Sequence, residues 1–280
     1  MTDQKQTVQD QFGANAENYA RSTLFAGGES LADMVRLVQP RNTWNVLDVA
    51  TGGGHCACAF APLVKHVTAT DITERMLQAA ERVARERELL NIRFEKADAE
   101  ALPYSDDRFD LVTCRIAAHH FSEPGQAVRE MARVCKPGGL VAVIDGIAPN
   151  NRTAADEVNA WETWRDPSHV ALLTVNGWSS LFCAAELDAV HLARYAMELD
   201  FDDHMRRAGC DARTTAKVRD GLLNGSPAMR DWLRPRVNGD KIALIWRLIL
   251  IVGRKTLHGH NYDTQKSDFC KKSDFSTGLG

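Results

Sequence analysis

The run Val46-Leu47-Asp48-Val49-Ala50-Thr51-Gly52-Gly53-Gly54 constrains this chain more than any other stretch. An apolar segment broken only by Asp48 gives way to a glycine cluster, and the next apolar stretch ends on an acid, Asp71. That order predicts a strand, a tight turn opening a helix, and a second strand tipped by a carboxylate. Gly52 and Gly54 carry no side chain, so the backbone there can approach a ligand. The helix that follows turns its free N–H groups and positive end toward an anion.

The rest of the chain alternates in the same way. Leu31, Met34, Val35 and Val38 fall on one helical face before Pro40, and a strand is expected over 44–49. Thr73 can cap a helix whose Met76, Leu77, Ala80, Val83 and Ala84 share a face. Residues 91–97 and 109–114 read as strands. Val128, Met131, Val134 and Cys135 form a further helical stripe, closed by Pro137-Gly138-Gly139 before a strand over 140–144. Strand and helix in repetition predict an α/β, doubly wound sheet.

The glycine loop fits two cofactors. Gly52 to Ala57 satisfies a dinucleotide fingerprint with Asp71 close to the usual spacing, which makes a nicotinamide-dependent oxidoreductase the first rival. Asp48 argues against it, because its charge would face a pyrophosphate across a low-dielectric crevice. S-adenosylmethionine carries no phosphate and has an ammonium and a sulfonium, which a carboxylate favours. Asp98, after a third strand, extends the row of acids along the carboxyl edge. It is placed to accept an adenine amino group, with the Ala99 amide beside a ring nitrogen.

In this order, Asp48 to Gly54, Asp71, Asp98-Ala99-Glu100-Ala101-Leu102-Pro103, Phe109-Asp110-Leu111-Val112 and Lys136-Pro137-Gly138-Gly139 resemble the class I S-adenosylmethionine-dependent methyltransferases. The similarity is greatest to the ubiquinone/menaquinone-biosynthesis type and its small-molecule relatives, over roughly 11–255. It departs at Ala50, where many relatives have glycine. The resemblance implies a Rossmann-like fold with a mostly parallel seven-stranded sheet, its last strand at 247–252 antiparallel, and an N-terminal helical lid over 1–40. The methyltransferase domain would then span 41–255, with a substrate-capping insertion around 150–185. It also carries a cofactor site onto Tyr19, Asp48, Ala50, Thr51, Gly52, Gly54, Asp71, Ile72, Met76, Asp98, Ala99 and Arg115, with no metal. Tyr19 would close over the methionine end.

The expected activity is methyl transfer from S-adenosylmethionine to oxygen or carbon of a small phenolic, quinol-like or enolisable acceptor. A protein that holds the cofactor without turning it over is the alternative from another class. His119 and His120, leaving the fourth strand, are the candidate bases, since an imidazole titrating near pH 6.5 can take a proton from a phenol or enol; the alternative for either is to shape the pocket. Residues 150–176, with Trp161 and Trp164, read as a helix and loop over the ligand edge, followed by a helix over 179–187 and a strand over 189–197. Arg165 and His169 belong either to the substrate side or, for Arg165-Asp166, to a surface ion pair.

A hydrophobic share of 44% over 280 residues suffices for a full core, and the net charge of −3 argues against a nucleic-acid or membrane-surface partner. Residues 1–6 hold no apolar signal core, and the run 242–252 contains Arg247 and is too short to span a bilayer. A soluble cytoplasmic protein is expected, with homo-oligomerisation left open. The seven cysteines show no paired metal-ligand spacing and are expected to be reduced. Beyond residue 255 the chain turns polar, Lys266-Ser267-Asp268-Phe269 recurs as Lys272-Ser273-Asp274-Phe275, and a disordered tail is expected over 256–280.

Overall fold

The computed structural model describes residues 3–256. It opens with helices α1 (Asp3–Ala20), α2 (Thr23–Ala26) and α3 (Glu29–Val38), then β1 (Asn45–Val49), α4 (His55–Phe60), β2 (His66–Asp71), α5 (Glu74–Glu86) and β3 (Ile92–Lys96). The second half runs β4 (Phe109–Arg115), α6 (Pro124–Val134), β5 (Cys135–Gly146), α7 (Arg152–Arg165), α8 (Val175–Ala184) and β6 (Leu187–Asp200). It closes with α9 (Phe201–Arg207), α10 (Ala212–Asn224), α11 (Pro227–Leu233), β7 (Arg236–Asn238) and β8 (Lys241–Lys255).

The strands form one sheet in the order β3-β2-β1-β4-β5-β8-β6, with β7 paired to β8 off that path. β1 to β5 pair in parallel, and β8 lies antiparallel between β5 and β6. The central strands are buried on both faces, which is why Val46–Leu47, Leu111–Val112 and 140–144 read as continuous apolar runs. Reversal of strand order between β1 and β4 opens a crevice at the carboxyl edge, with Asp71 of β2 on its wall.

The expected seven-stranded path is present, and the short β7 adds an eighth strand as a hairpin arm. β6 and β8 extend well beyond the windows 189–197 and 247–252. Cys135, expected on a helix, starts β5 opposite Phe109, because the chain bulges through Gly138 and the ladder resumes at Leu140. Cys56, Cys58, Cys114, Cys135 and Cys210 are free thiols, whereas Cys183 is disulfide-bonded, against the expectation of reduced cysteines throughout. No described helix is long and apolar enough to cross a membrane. Beyond Thr256 the expected tail, with the repeated Lys-Ser-Asp-Phe motif, lies outside the described residues.

α1 lies across the carboxyl edge. Ala16 and Ala20 pack on Met76, Ala79, Val83 and Ala84 of α5, and Glu17 binds Arg82 at 2.7 Å. At its other side Gln4 Nε2 donates to the Ser168 carbonyl at 2.7 Å and Gln11 Nε2 to that of Ala208 at 2.8 Å.

Candidate active site

A cavity of about 1320 Å³, counting its open mouth, lies beneath α1. Ala50, Thr51 and Gly52 form one wall and Asp71, Ile72 and Met76 the next. Asp71 is buried and bound to backbone on both oxygens: Gly52 N donates to Oδ2 at 3.0 Å and Thr73 N to Oδ1 at 2.8 Å. Burial outweighs these bonds and pushes its pKa up to about 6. Ala50 sits at φ 52°, in the left-handed region that a glycine would adopt without strain, at a cost of roughly 1–2 kcal/mol.

Asp48 and Gly54 stand behind this wall rather than on it. Asp48 accepts from Thr51 Oγ1 at 2.6 Å, Thr113 Oγ1 at 2.7 Å and Ala57 N at 3.1 Å, so it ties the loop to β4 and to α4. Gly54 has φ 79°, and a Cβ there would meet Ala80 Cβ at 2.9 Å. Its missing side chain permits close packing of α4 on α5. Asp98, Ala99 and Arg115 line the cavity. Lys5 of α1 reaches Asp98 at 2.5 Å and Glu100 at 2.8 Å. Arg115 holds the carbonyls of Phe25 at 2.8 Å and Gly27 at 3.2 Å, while its buried Nε has no partner among the described residues.

The histidine pair closes the far wall, on a short 3-10 turn (Ala118–His120) just past β4. His119 Nδ1 lies 2.6 Å from Asp145 Oδ1, and its amide donates to Oδ2 at 2.9 Å. Burial works against the imidazolium, but Asp145, with Glu162 and Asp166 behind it, outweighs burial and holds the His119 pKa above 6.5. His120 points Nδ1 at the Ser168 carbonyl, 3.1 Å away. Burial first, then the neighbouring His119 charge, lowers its pKa to about 4, so it is neutral at pH 7 with Nδ1–H donating. Neither Nε2 has a partner among the described residues. Phe12 of α1 meets His120 edge-on at 4.8 Å.

The remaining wall comes from α7, α9, β6 and β8. Arg165 Nε binds Glu162 Oε2 at 2.9 Å, and both are buried with Asp166, so the surface ion pair is overturned. Tyr19 lines the cavity, stacks on Phe25 at 6.3 Å and is pushed up to about 12 by burial. His204, Arg207, Leu199 and Trp246 complete the lining. His169 stands behind His119, its Nε2 2.9 Å from Asn159 Oδ1.

All the expected site residues therefore converge on this cavity except Asp48 and Gly54, which shape it from behind. Sequence reasoning missed Asp145, although it ends an apolar strand just as Asp48 and Asp71 do. It also missed His55, whose Nε2 lies 3.1 Å from the Tyr19 carbonyl and whose buried Nδ1 has no partner among the described residues. A histidine opening the helix after the glycines was the available signal.

Residues 47–143 match a family model described as a methyltransferase domain. An uncharacterised methyltransferase of Bacillus subtilis, YcgJ, is 36% identical over 251 residues, 89% of this chain and 99% of that protein. A crystal structure of a putative methyltransferase from Bacillus halodurans matches with a TM-score of 0.78 and 32% identity over 82% of this chain and all of that one. The ubiquinone/menaquinone biosynthesis C-methyltransferase UbiE of Pseudomonas entomophila is 32% identical over 176 residues, 60% of this chain and 69% of that protein.

Proposed function

The chain belongs to the S-adenosylmethionine-dependent methyltransferases of class I, and from that premise we propose that it methylates oxygen or carbon of a small phenolic, quinol-like or enolisable acceptor, with His119 as the base. The observation that carries this reading is His119 on the cavity wall, held by Asp145 behind it through two hydrogen bonds.

The residues present fit the cofactor. Each Asp71 oxygen accepts one backbone N–H and has a second lone pair for a ribose hydroxyl. Among the described residues the Ala99 amide has no hydrogen-bond acceptor, which supports its pairing with the adenine ring beside Asp98. His55 donates through Nε2 to the Tyr19 carbonyl, so its unpartnered Nδ1 is an acceptor suited to the ammonium, and the unpartnered Arg115 Nε suits the carboxylate. S-adenosylmethionine supplies, when bound, a methyl carbon already activated by its sulfonium.

The chain's own part is orientation, exclusion of water and removal of one proton. Asp145 fixes the His119 tautomer with Nδ1–H donating, which leaves the Nε2 lone pair for an acceptor O–H or acidic C–H. The imidazolium that forms is stabilised by the same carboxylate. His120, neutral and held by the Ser168 carbonyl, offers an uncharged acceptor beside it.

The test is formation of S-adenosylhomocysteine across a panel of phenols, quinols and enolisable carbonyls. Turnover with at least one of them supports the reading. Tight cofactor binding with no product from any of them would instead leave a protein that only holds S-adenosylmethionine.

A further inference from the structure

β6 forms one edge of the sheet and is the longer of the two edges, running for 14 residues against 5 for β3 on the opposite side. It pairs with β8 on one flank, and among the described residues no hydrogen bond reaches the backbone groups on its other flank. An unpaired row of N–H and C=O groups is a template for a further strand, and proteins guard it with bulges, prolines or lysines. The first part of β6 is guarded in this way: the ladder to β8 slips between Ala189 and His191 and leaves Val190 out of the pairing as a bulge. From His191 to Asp200 the register is unbroken and holds neither proline nor lysine.

Along that stretch the side chains alternate. Tyr195, Met197 and Leu199 turn to the face that joins the core. Arg194, Ala196 and Glu198 turn to the other face and are exposed. Glu198 is bound by Arg236 of β7, whereas Arg194 has no acidic partner among the described residues. The order Arg194, Ala196, Glu198 is its own complement: reversed about Ala196, it sets each arginine against a glutamate.

We infer that the protein forms a two-fold dimer by antiparallel pairing of β6 with β6 of a second copy, Ala196 lying on the axis. Only every second residue turns its N–H and C=O outward, so a two-fold ladder must be centred on a residue. Centring on Arg194 or Glu198 opposes like charges, and centring on Tyr195 or Met197 leaves Glu198 opposite an uncharged residue. Centring on Ala196 pairs Arg194 with Glu198 of the other copy twice over, sets Tyr195 opposite Met197 and runs the ladder over 192–200. Arg194 and Glu198 do not line the cavity, so this contact is independent of the methyl-transfer reading.

Analytical ultracentrifugation of the full chain at micromolar concentration should give the mass of two copies. Arg194→Glu and Glu198→Arg, both at exposed positions, should each weaken self-association about tenfold or more. An equimolar mixture of the two variants should restore it, because each supplies the charges that the other lacks. Ala196→Cys checks the register: directly opposed residues of an antiparallel ladder have Cα atoms about 4.5–5.5 Å apart, within disulfide reach. On oxidation this variant should cross-link into a covalent dimer above the wild-type background, whereas Ala193→Cys, opposite Leu199, should not. A monomer, including one whose 192–200 amides are shielded from hydrogen exchange by another segment of the chain, would overturn the inference. So would a dimer that both charge reversals leave intact, or one that Ala196→Cys fails to cross-link.

Discussion

Asp145 grips His119 at two points, the ring Nδ1 at 2.6 Å and the backbone amide at 2.9 Å, so one carboxylate at the end of β5 sets both the position and the tautomer of the candidate base. The turn that presents the ring begins beside Ile116, held at φ 55°, an outlier for a β-branched residue. Backbone strain of this kind persists where surrounding structure over-determines it, and here it lies on the cavity wall.

Asp145→Asn is expected to act on pH dependence as well as rate. Burial alone disfavours the imidazolium, so removing the carboxylate lowers the His119 pKa, and the neutral, active form persists to lower pH. The acidic limb of kcat/KM should move down, and kcat should fall about 10²-fold or more as orientation is lost. A limb that stays in place, measured over pH 4.5 to 9, would sever Asp145 from the base.

Asp71→Asn should weaken S-adenosylmethionine by roughly 1.5–3 kcal/mol, the worth of hydrogen bonds to a charged group. In the wild type, affinity should also decline as pH drops through about 6, where the buried carboxyl takes up a proton and loses its acceptor strength. Calorimetry at pH 7.5 and 5 checks both. Affinity independent of pH and of the substitution would remove Asp71 from the ribose site.

Gly54→Ala should destabilise the fold without touching the ligand. Its Cβ would stand 2.9 Å from Ala80 Cβ at a φ of 79°, so α4 and α5 must separate, at about 1–3 kcal/mol. An unchanged denaturant midpoint would contradict the packing role.

Lys5→Gln should tighten cofactor binding modestly. Lys5 occupies Asp98 at 2.5 Å, the carboxylate proposed for the adenine amino group, and the cofactor must compete with it. Partly exposed pairs of this kind are worth about 0–1 kcal/mol, so the gain is about fivefold at most. Weaker binding in the variant would mean that Lys5 instead helps hold the cofactor.

Acid should loosen the fold above the pH at which exposed carboxylates titrate. His120, His169 and His204 are buried with pKa values below 6.5, to about 4 for His120, about 2 for His169 and well below normal for His204. Their stability contribution is complete above the unfolded value near 6.5 and is lost below it, at about 1.4 kcal/mol per pH unit for each histidine. His119, Asp71 and Asp48, which bind protons more tightly when folded, oppose the trend, while His55 and His66, also lowered by burial, add to it and leave five histidines against three opposing groups. The Tm should fall steadily from pH 7 to 5; a flat profile would refute the neutral state of the three.

The glycine loop, the acids at the ends of β1 and β2 and the His119-His120 turn were legible because a parallel sheet delivers every strand's carboxyl end to one edge. Direction along that edge was not. Asp48 turns inward to hydroxyls of Thr51 and Thr113, and only the distances show it. Trp246, Leu199, His204 and Arg207 reach the same cavity from β8, β6 and α9, far downstream of the histidines. No local periodicity encodes such contacts, and the window 150–185 contains α7 and α8 but none of these four residues.

The most direct test of the central claim is kcat/KM against pH with saturating S-adenosylmethionine, for the wild type and His119→Asn. The wild type should rise along an acidic limb centred above 6.5, and the variant should lose about 10²–10⁴-fold together with that limb, at unchanged cofactor affinity. A wild-type limb near 4, or a variant with the wild-type profile, would contradict His119 as the base and transfer the role to His120.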